Sequence, residues 1–238
     1  MRSAILLLIF PPLLAGYLLG VALAFDTSET LPQYLLMVPL VYILGSVPWG
    51  FMIIRLSQGV DIREYGSGRI GTSNVLRTAG PRVAGLVLTL DLSKGVLAVL
   101  LARAIVDTTA AEVVAGLLVL VGHNWSLFLG FKGGRGIAPG TGAMAIISPA
   151  AIALGIGLFA LTAFSTKYVS LASLVAVVTV LVVTSIQVTI TDFSPLYLIY
   201  VGAGGLMIFW QHRDNIYRLL RGTERRLGKP ADKLVEQG

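Results

Sequence analysis

A succession of long apolar stretches, each about as long as a membrane-crossing helix, constrains this 238-residue chain more than any other feature. A helix needs about 20 mainly apolar residues to cross the hydrocarbon core of a bilayer. Such stretches cover residues 4–24, 33–54, 83–102, 113–131, 137–164, 169–187 and 194–210. Because only 13% of the residues are charged, an ordinary water-soluble domain is excluded. The pattern predicts an all-α polytopic integral membrane protein.

The stretch from Ile137 to Phe164 is too long for one simple crossing. Pro149 in its middle disfavours a helical conformation at the preceding residue, Ser148. We therefore predict two helices here, one leaving the cytoplasmic side and one returning to it. With this division the chain has about seven transmembrane helices plus an extra N-terminal hydrophobic segment.

The first apolar stretch, residues 4–24, admits two interpretations. Small residues at positions 22 and 24 and a basic start at Arg2 are typical of a cleavable secretory signal peptide. The apolar run is longer than cleavable segments usually are, and it contains Pro11-Pro12. The sequence therefore favours an uncleaved first transmembrane helix, with the signal peptide as the alternative.

Most of the 18 Lys and Arg residues occupy a few of the connections between apolar stretches. They lie in residues 55–82, in residues 132–135, at Lys167 and in the tail from residue 213. The remaining connections carry acidic residues, with Arg103 at the edge of one. Because short cytoplasmic loops are enriched in Lys and Arg, we predict that the basic connections face the cytoplasm. The chain then divides into the extra segment at 1–30, a membrane domain at 31–212 and a basic cytoplasmic tail at 213–238.

The charge and cysteine content narrows the classes of ligand. The formal net charge of +6 lies in membrane loops, which indicates anionic small ligands and lipid rather than nucleic acid. Zero cysteines exclude disulfides, thiolate metal sites and a cysteine acyl intermediate, and two histidines leave little for a metal centre.

The loop over residues 57–82 is dense in Gly, Ser, Asn and Arg. Its segment GSGRIG at 66–71 matches the dinucleotide-binding fingerprint G-x-G-x-x-G, and Asp91 follows about 20 residues later. An apolar stretch rather than a strand precedes the segment, and Asp91 falls inside the next apolar stretch, so dinucleotide binding is excluded. Glycine-flanked amides with Arg69 and Arg77 suit an anion site, and a flexible loop that obeys the positive-inside rule is the alternative.

A second basic segment consists of Lys132, Gly133, Gly134, Arg135 and Gly136. Such a mixture of glycines and cations suits a nest, in which successive backbone amides converge on a phosphate. The G-K-[ST] ending of a nucleoside triphosphate loop is absent. The alternative is a basic helix end with small residues for close packing.

The tail begins with His212 and Asn215, which are three apart and therefore share a helix face. Its arginines also fit an amphipathic helix that lies on anionic lipid.

Within the apolar stretches, Asp91 and Lys94 share a face and predict a structural ion pair, with a role in holding an active-site loop as the alternative. His123 is predicted to hydrogen-bond between helices.

Six segments together resemble one known family, the bacterial acyl-phosphate:glycerol-3-phosphate acyltransferases of the PlsY type. They are GSVPWG from residue 45, GSGRIGTSNVLRTAG from 66, DLSKG from 91, GHNWSLFLGFKGGRG from 122, TKYVSLAS from 166 and QHRDNIYRLLRGTE from 211. The resemblance runs in order over nearly all of residues 35–228.

The resemblance implies a multi-pass protein of the bacterial inner membrane with its active site at the cytoplasmic face. It implies transfer of an acyl group from acyl phosphate to the sn-1 hydroxyl of glycerol 3-phosphate, giving lysophosphatidic acid and phosphate in phospholipid biosynthesis. The implied partners are these two substrates, membrane lipid and an acyl-phosphate-forming enzyme that hands over the donor. No cofactor or metal is implied.

The family's motifs also carry site residues to matching positions here. The matched catalytic residues are Ser67, Arg77, Lys132, His212 and Asn215. The matched substrate-binding residues are Gly66, Gly68, Asn74, Gly133, Gly134, Arg135, Gly136 and Glu224. On this basis we expect segment 132–136 to hold the donor phosphate, and Arg77 with Ser67 and Asn74 to clamp glycerol 3-phosphate.

Two roles are open for His212 in such an enzyme. It accepts the sn-1 proton, for which an ordinary pKa near 6.5 suits neutral pH, or it orients the substrate while a donor phosphate oxygen accepts that proton. Asn215 is expected to bind substrate or the developing oxyanion. Glu224 is expected to position the tail helix rather than to react.

Several positions depart from the usual family pattern. Arg135 replaces a lysine, Pro139 a threonine and Gln211 an arginine, and Trp125-Ser126 replace an aromatic-proline pair. Arg135 keeps the charge and adds a bidentate fork, so we expect activity to survive.

Two other classes of function remain as alternatives. A transporter for a phosphorylated metabolite would also use basic loops at membrane ends, and a membrane-surface scaffold would use only the tail.

Overall fold

The computed structural model describes residues 30–228, and within that range the chain is helical with short connections. The helices are α1 (Thr30–Ser46), α2 (Trp49–Gln58), α3 (Thr72–Ile105), α4 (Thr109–Asn124), α5 (Ile137–Ile147), α6 (Pro149–Thr166), α7 (Val169–Ile190), α8 (Tyr197–Gln211) and α9 (Arg213–Leu220). The predicted all-α fold is confirmed. The extra N-terminal hydrophobic segment lies outside the described residues.

Five helical segments are long and apolar enough to cross a membrane. They are Thr30–Gln58, Thr72–Ile105, Thr109–Leu129, Pro149–Thr166 and Val169–Ile190, and the shorter helices α5 and α8 are also apolar. Large apolar side chains point away from the protein interior, among them Leu161, Ile190 and Leu206, which are 65%, 73% and 74% exposed. Exposed apolar surface of this extent fits an integral membrane protein in contact with lipid.

The predicted break at Ser148-Pro149 is confirmed. Helix α5 ends at Ile147, and Ser148 begins α6 by accepting a hydrogen bond at Oγ from the amide of Ala151 at 3.2 Å. Pro149 occupies the first helical position, where its missing N–H is not needed.

Helix α3 begins eleven residues before the expected apolar start at Val83, so the prediction that residues 57–82 form one loop is wrong. The loop ends at Gly71, and residues 72–79 form a polar first part of the helix. A kink at Gly80, whose φ is +82°, separates this part from the apolar remainder that follows Pro81. The apolar pattern identifies only the membrane-crossing part, because the first two turns are too polar to contribute to it.

Glycines allow the helix backbones to approach closely. A Cβ atom on Gly95 of α3 would collide with the carbonyl oxygen of Pro139 on α5, and one on Gly142 would collide with that of Leu92. A Cβ on Gly122 would likewise strike the carbonyl oxygen of Tyr42 on α1. Small residues at such contacts are the usual means of packing helices within a membrane.

The connections divide between the two ends of the bundle. The loops at 59–71 and 125–136, the α6–α7 turn and the tail meet at one end, called the site end below. The amide of Leu227 in the tail donates to the carbonyl of Lys167 at 2.7 Å, and Nε of Arg135 donates to that of Gln211 at 3.3 Å. The α3–α4, α5–α6 and α7–α8 connections lie at the opposite end, called the far end.

Candidate active site

An elongated cavity of about 550 Å³ has polar lining at the site end and continues between α5, α6, α7 and α8. Its polar lining comes from separate parts of the chain. Those residues include Ser67, Arg69, Thr72, Ser73, Arg135 and His212. The remaining lining is mostly apolar and comes mainly from the four helices, with further leucines from α3, α4 and the tail. The cavity therefore joins a cationic polar end to a long apolar groove.

Asn74 fixes the loop that precedes α3. Its side-chain Oδ1 accepts from the amide of Ser67 at 3.0 Å, and Nδ2 lies 2.9 Å from each of the carbonyl oxygens of Tyr65 and Arg69. The buried amide of Asn74 is thus used by the loop itself. This differs from the expectation that Asn74 clamps substrate, because a side chain whose donors and acceptor are already paired has little left to offer a ligand.

Gly66 and Gly68 give this loop its turn, since their φ angles of +55° and +67° lie in the left-handed region. Ser67 between them and Arg69 after them both line the cavity. The site residues predicted from the sequence do not include Arg69, although its place in the glycine-rich loop indicates a source of positive charge. Burial lowers the pKa of Arg69, and the neighbouring Arg213 acts in the same direction while Asp214 opposes both.

The glycines of the second basic segment pack against the end of α4. The amide of Gly133 donates to the carbonyl of Asn124 at 3.1 Å, and that of Gly134 donates to the carbonyl of His123 at 3.0 Å. A Cβ atom on either glycine would collide with His123. The expected phosphate nest is therefore not formed at these two residues, because close packing rather than anion binding uses their amides.

Lys132 and Arg135 differ in position although they lie in the same segment. Lys132 is exposed and is not part of the cavity lining, whereas Arg135 lines the cavity. Burial lowers the pKa of the Arg135 guanidinium to about 10, and the proximity of Arg69 contributes to this shift. Arg135 remains charged at neutral pH, and its positive charge is directed at the polar end of the cavity.

Two helix N-termini add to this positive potential. Gly136, with φ of +84°, precedes α5, and Gly71 precedes α3, and both line the cavity. The first amides of a helix have no partner within it, and the helix dipole places partial positive charge there. The two N-termini, together with Arg69 and Arg135, make the polar end of the cavity suitable for phosphate groups.

His212 lies buried directly after α8 and lines the same cavity. Its Nδ1 is 2.8 Å from the carbonyl oxygen of Ile208, and because a carbonyl can only accept, Nδ1 carries the proton. Nε2 therefore holds the lone pair. Burial and the charge of Arg135 lower the pKa of His212 to about 4, well below the ordinary value of 6.5. The imidazole is neutral at pH 7.

Glu224 ties the tail to the start of α7. Its Oε1 accepts from Asn215 Nδ2 at 2.7 Å and from Ser170 Oγ at 2.9 Å, and its Oε2 accepts from Arg218 Nε at 2.8 Å. These contacts agree with the expectation that Glu224 positions the tail helix. Oδ1 of Asn215 is buried and has no hydrogen-bond partner within residues 30–228. Neither Asn215 nor Glu224 lines the cavity.

Arg77 lies on the first part of α3 and is half-buried. It is within electrostatic range of Arg225, Glu224 and Arg218 of the tail and does not line the cavity. Of the five predicted catalytic residues, Ser67 and His212 therefore lie on the cavity wall, whereas Arg77, Lys132 and Asn215 lie around it.

A buried cluster of charged and polar side chains supports the cavity from behind. Nζ of Lys94 lies 2.9 Å from Oδ1 of Asp91 and 3.1 Å from Nδ1 of His123. It also donates to the carbonyls of Gly45 at 3.2 Å and Val47 at 2.9 Å, where α1 ends. The predicted Asp91–Lys94 ion pair is confirmed. Asp91 and His123 also line the cavity, which the sequence prediction did not include.

Comparison with known proteins places this site within one family. The family described as glycerol-3-phosphate acyltransferase matches residues 35–222. The glycerol-3-phosphate acyltransferase of Rubrobacter xylanophilus is 42% identical over 196 residues, which cover 81% of this chain and 94% of that protein. Glycerol-3-phosphate acyltransferase 3 of Dehalococcoides mccartyi is 40% identical over 209 residues, covering 83% and 97% of the two chains.

Two crystal structures resemble the fold. One is PlsY (YgiH), an integral membrane glycerol 3-phosphate acyltransferase, in its glycerol 3-phosphate form, with a TM-score of 0.76 and 33% identity. The other is the lysophosphatidic acid form of PlsY (YgiH), with a TM-score of 0.73 and 30% identity. Each match covers 82% of this chain and 95% of the other.

Proposed function

Since the chain belongs to the glycerol-3-phosphate acyltransferase family, we propose that it uses acyl phosphate to acylate the sn-1 hydroxyl of glycerol 3-phosphate. The products are 1-acyl-glycerol 3-phosphate, which is lysophosphatidic acid, and inorganic phosphate. The observation that carries this proposal is the continuity of the cationic end of the cavity with an apolar groove. Acyl phosphate has the same division, with a phosphate at one end and a long hydrocarbon chain at the other.

The donor phosphate binds at the N-terminus of α5. Arg135 lines the cavity and offers a planar fork that can hold two phosphate oxygens. Gly136 precedes α5 and has no side chain to cap the first amides of that helix. Lys132 is exposed beside this position, and its long flexible side chain brings a second cation to the bound phosphate. The acyl chain extends from the phosphate into the apolar groove.

Glycerol 3-phosphate binds on the opposite wall, at the N-terminus of α3. Ser67, Arg69 and the first amides of α3 hold its phosphate, while Asn74 keeps the loop that carries Ser67 and Arg69 in shape. Arg77 adds positive charge from outside the lining. Fixed cations on both walls offset the repulsion between two phosphate-bearing substrates.

In the chemical step, the sn-1 hydroxyl of glycerol 3-phosphate attacks the donor carbonyl directly at the polar end of the cavity. The sn-1 oxygen approaches to about 3 to 3.5 Å from the carbonyl carbon of the donor and forms the new ester bond. The bond from the carbonyl carbon to the phosphate oxygen breaks, and phosphate leaves. The hydroxyl proton passes to Nε2 of His212, which holds the lone pair, or to an oxygen of the departing phosphate while His212 orients the hydroxyl.

The test compares donors on the purified protein. Glycerol 3-phosphate is supplied with acyl phosphate or, separately, with acyl-CoA, and the products are identified by mass spectrometry. We expect lysophosphatidic acid acylated at sn-1 with acyl phosphate and none with acyl-CoA. Product from acyl-CoA alone, or acylation at sn-2, would contradict the proposal.

The roles of the surrounding cations are tested separately from donor identity. Arg77→Ala and Lys132→Ala are expected to abolish acyl transfer while the protein remains inserted in the membrane. Retained turnover in either variant would remove that cation from the mechanism. Should His212→Ala keep most of the maximal rate and alter only substrate saturation, His212 orients the substrate and the donor phosphate accepts the proton.

The orientation in the membrane follows from the same positive charges. Basic connections gather at the site end, which by the positive-inside rule faces the cytoplasm of a bacterial inner membrane. There the donor is received from an acyl-phosphate-forming enzyme. Labelling single cysteines, introduced into this cysteine-free chain at the site end, from each side of the membrane tests this orientation.

A further inference from the structure

The apolar groove has a definite length, which three helices mark independently. Along α8 the lining extends from His212, directly after the helix, back to Tyr200. These two residues are twelve positions apart, or about 18 Å at 1.5 Å per residue. On α6 the lining extends from Phe164 back to Ile152, again about 18 Å. On α7 it extends from Val169 to Val180, a rise of eleven residues or about 16 Å. All three end at a similar depth.

A buried apolar cluster closes the groove at that depth. Met144, Tyr200 and Val201 belong both to the lining and to this cluster, and Ile152 and Val180 of the lining pack against it. Tyr200 is only 3% exposed, and its hydroxyl donates to the carbonyl of Gly140 at 3.3 Å. The end wall is therefore tightly packed, and a chain that reaches it has no further room.

The groove is kept open along its length by residues without large side chains. They are Gly155, Ala160, Ala163, Ala176, Gly204 and Gly205. A Cβ atom on Gly205 would make ordinary contact with Cγ1 of Val177 at 3.4 Å, without meeting backbone. Gly205 lies seven residues before His212, about 10 Å along α8 and well short of the end wall. A side chain added there would occupy part of the groove.

We propose that the groove measures the acyl chain, with the wall formed by Met144, Ile152, Val180, Tyr200 and Val201 as its stop. This inference rests on the proposed function. A chain whose methyl end reaches the stop buries the most apolar surface while its phosphate remains at Arg135. A longer chain must bend out of the groove or displace the reacting carbonyl, which costs the attack geometry.

The test measures kcat/KM for saturated acyl phosphates of increasing chain length in two variants that act in opposite directions. Gly205→Val narrows the groove midway and should lower the ratio of long-chain to short-chain kcat/KM about tenfold. Ile152→Ala removes part of the stop and should raise the same ratio about tenfold. The two variants fill and empty different places, so a folding defect in one leaves the other informative.

Two matched substitutions serve as controls. Gly202→Val lies on the same helix as Gly205, has open space around its Cβ position and is not in the lining. Leu154→Ala changes a side chain that is 56% exposed, two residues from Ile152 on α6 and outside the lining. Both should keep the chain-length profile of the unaltered protein. If neither Gly205→Val nor Ile152→Ala changes the ratio of long-chain to short-chain kcat/KM, the groove does not measure the acyl chain, and the proposed function still stands. If no acyl phosphate gives product, both the proposed donor and this inference are wrong.

Discussion

Two polar clusters of similar chemistry lie at opposite ends of the helix bundle, one fully buried and one with its arginine exposed. At the site end, Lys94 joins Asp91, His123 and the carbonyls where α1 ends. At the far end, the Arg103 guanidinium binds both carboxylate oxygens of Glu112 at 2.9 and 3.1 Å, and Tyr197 donates to Glu112 at 2.9 Å. Each cluster links three helices by charged and polar groups within an apolar bundle.

The clusters differ in what lies next to them. Asp91 and His123 form part of the cavity wall, and His123 also accepts the hydrogen bond of Gly134 in the segment that leads to Arg135. Arg103, Glu112 and Tyr197 are absent from that wall. We infer that the site-end cluster fixes the geometry of the reaction, whereas the far-end cluster only holds helices together. Substitutions that match in chemistry but differ in location can separate these contributions.

The largest difference is expected between two arginine-to-glutamine substitutions. Arg135→Gln removes the cation that the proposed function assigns to the donor phosphate, and we expect kcat/KM for acyl phosphate to fall by about 10² to 10³. Arg103→Gln removes a cation of the far-end cluster and should change kcat/KM less than about threefold. Steady-state assays at equal amounts of inserted protein provide the comparison. Similar losses in both variants would show that the two ends do not differ in function.

A second prediction concerns Lys94. Lys94→Met leaves the Asp91 carboxylate buried without its cation, and we expect the free energy of unfolding to fall by about 3 to 5 kcal/mol along with acyl transfer. The double variant Lys94→Met/Asp91→Leu removes both charges and should regain thermal stability in detergent. It should not regain activity, since the carbonyls of Gly45 and Val47 still lack their donor. Activity that returns together with stability would make the cluster a stabilising element only.

The membrane-crossing pattern could be predicted from sequence because it depends on local composition. The break at Ser148 was recognisable because proline acts on the residue before it, whatever the surroundings. The polar start of α3 at Thr72 was missed because two polar turns give no apolar signal of their own. Its extent depends instead on Gly71 and the kink at Gly80.

The candidate site was predictable as a meeting of basic loops, but the tasks of individual residues were not. Asn74 has the donors and acceptor of a substrate ligand, yet the loop carbonyls it reaches are set by tertiary structure. Gly133 has the conformational freedom of a phosphate-nest residue, yet its amide donates to the carbonyl of Asn124 at the end of α4. Arg69 lines the cavity and Asn74 holds its backbone carbonyl, an arrangement that no spacing in the sequence reveals.

A third prediction uses pH to sharpen the comparison. If neutral His212 is the base, kcat/KM stays level from neutral pH downward and falls as the pH passes about 4, because protonation removes the Nε2 lone pair. Arg69 also lowers the pKa of His212, so Arg69→Gln should move this acid limb to higher pH. Arg103→Gln, at the far end, should leave the limb in place. In the His212→Gln variant the residual kcat/KM should show no fall near pH 4, which would assign the acid limb to His212.

The smallest effect is expected from Tyr197→Phe, which removes one hydrogen bond of the far-end cluster and keeps the ring in place. Glu112 retains both contacts to Arg103, so its carboxylate stays paired. We expect the free energy of unfolding to fall by about 1 kcal/mol, measured by denaturation in detergent, and kcat/KM to remain unchanged. A fall in kcat/KM without a loss of stability would mean that the far end is coupled to the reacting groups. The inference that only the site-end cluster affects the reaction would then be wrong.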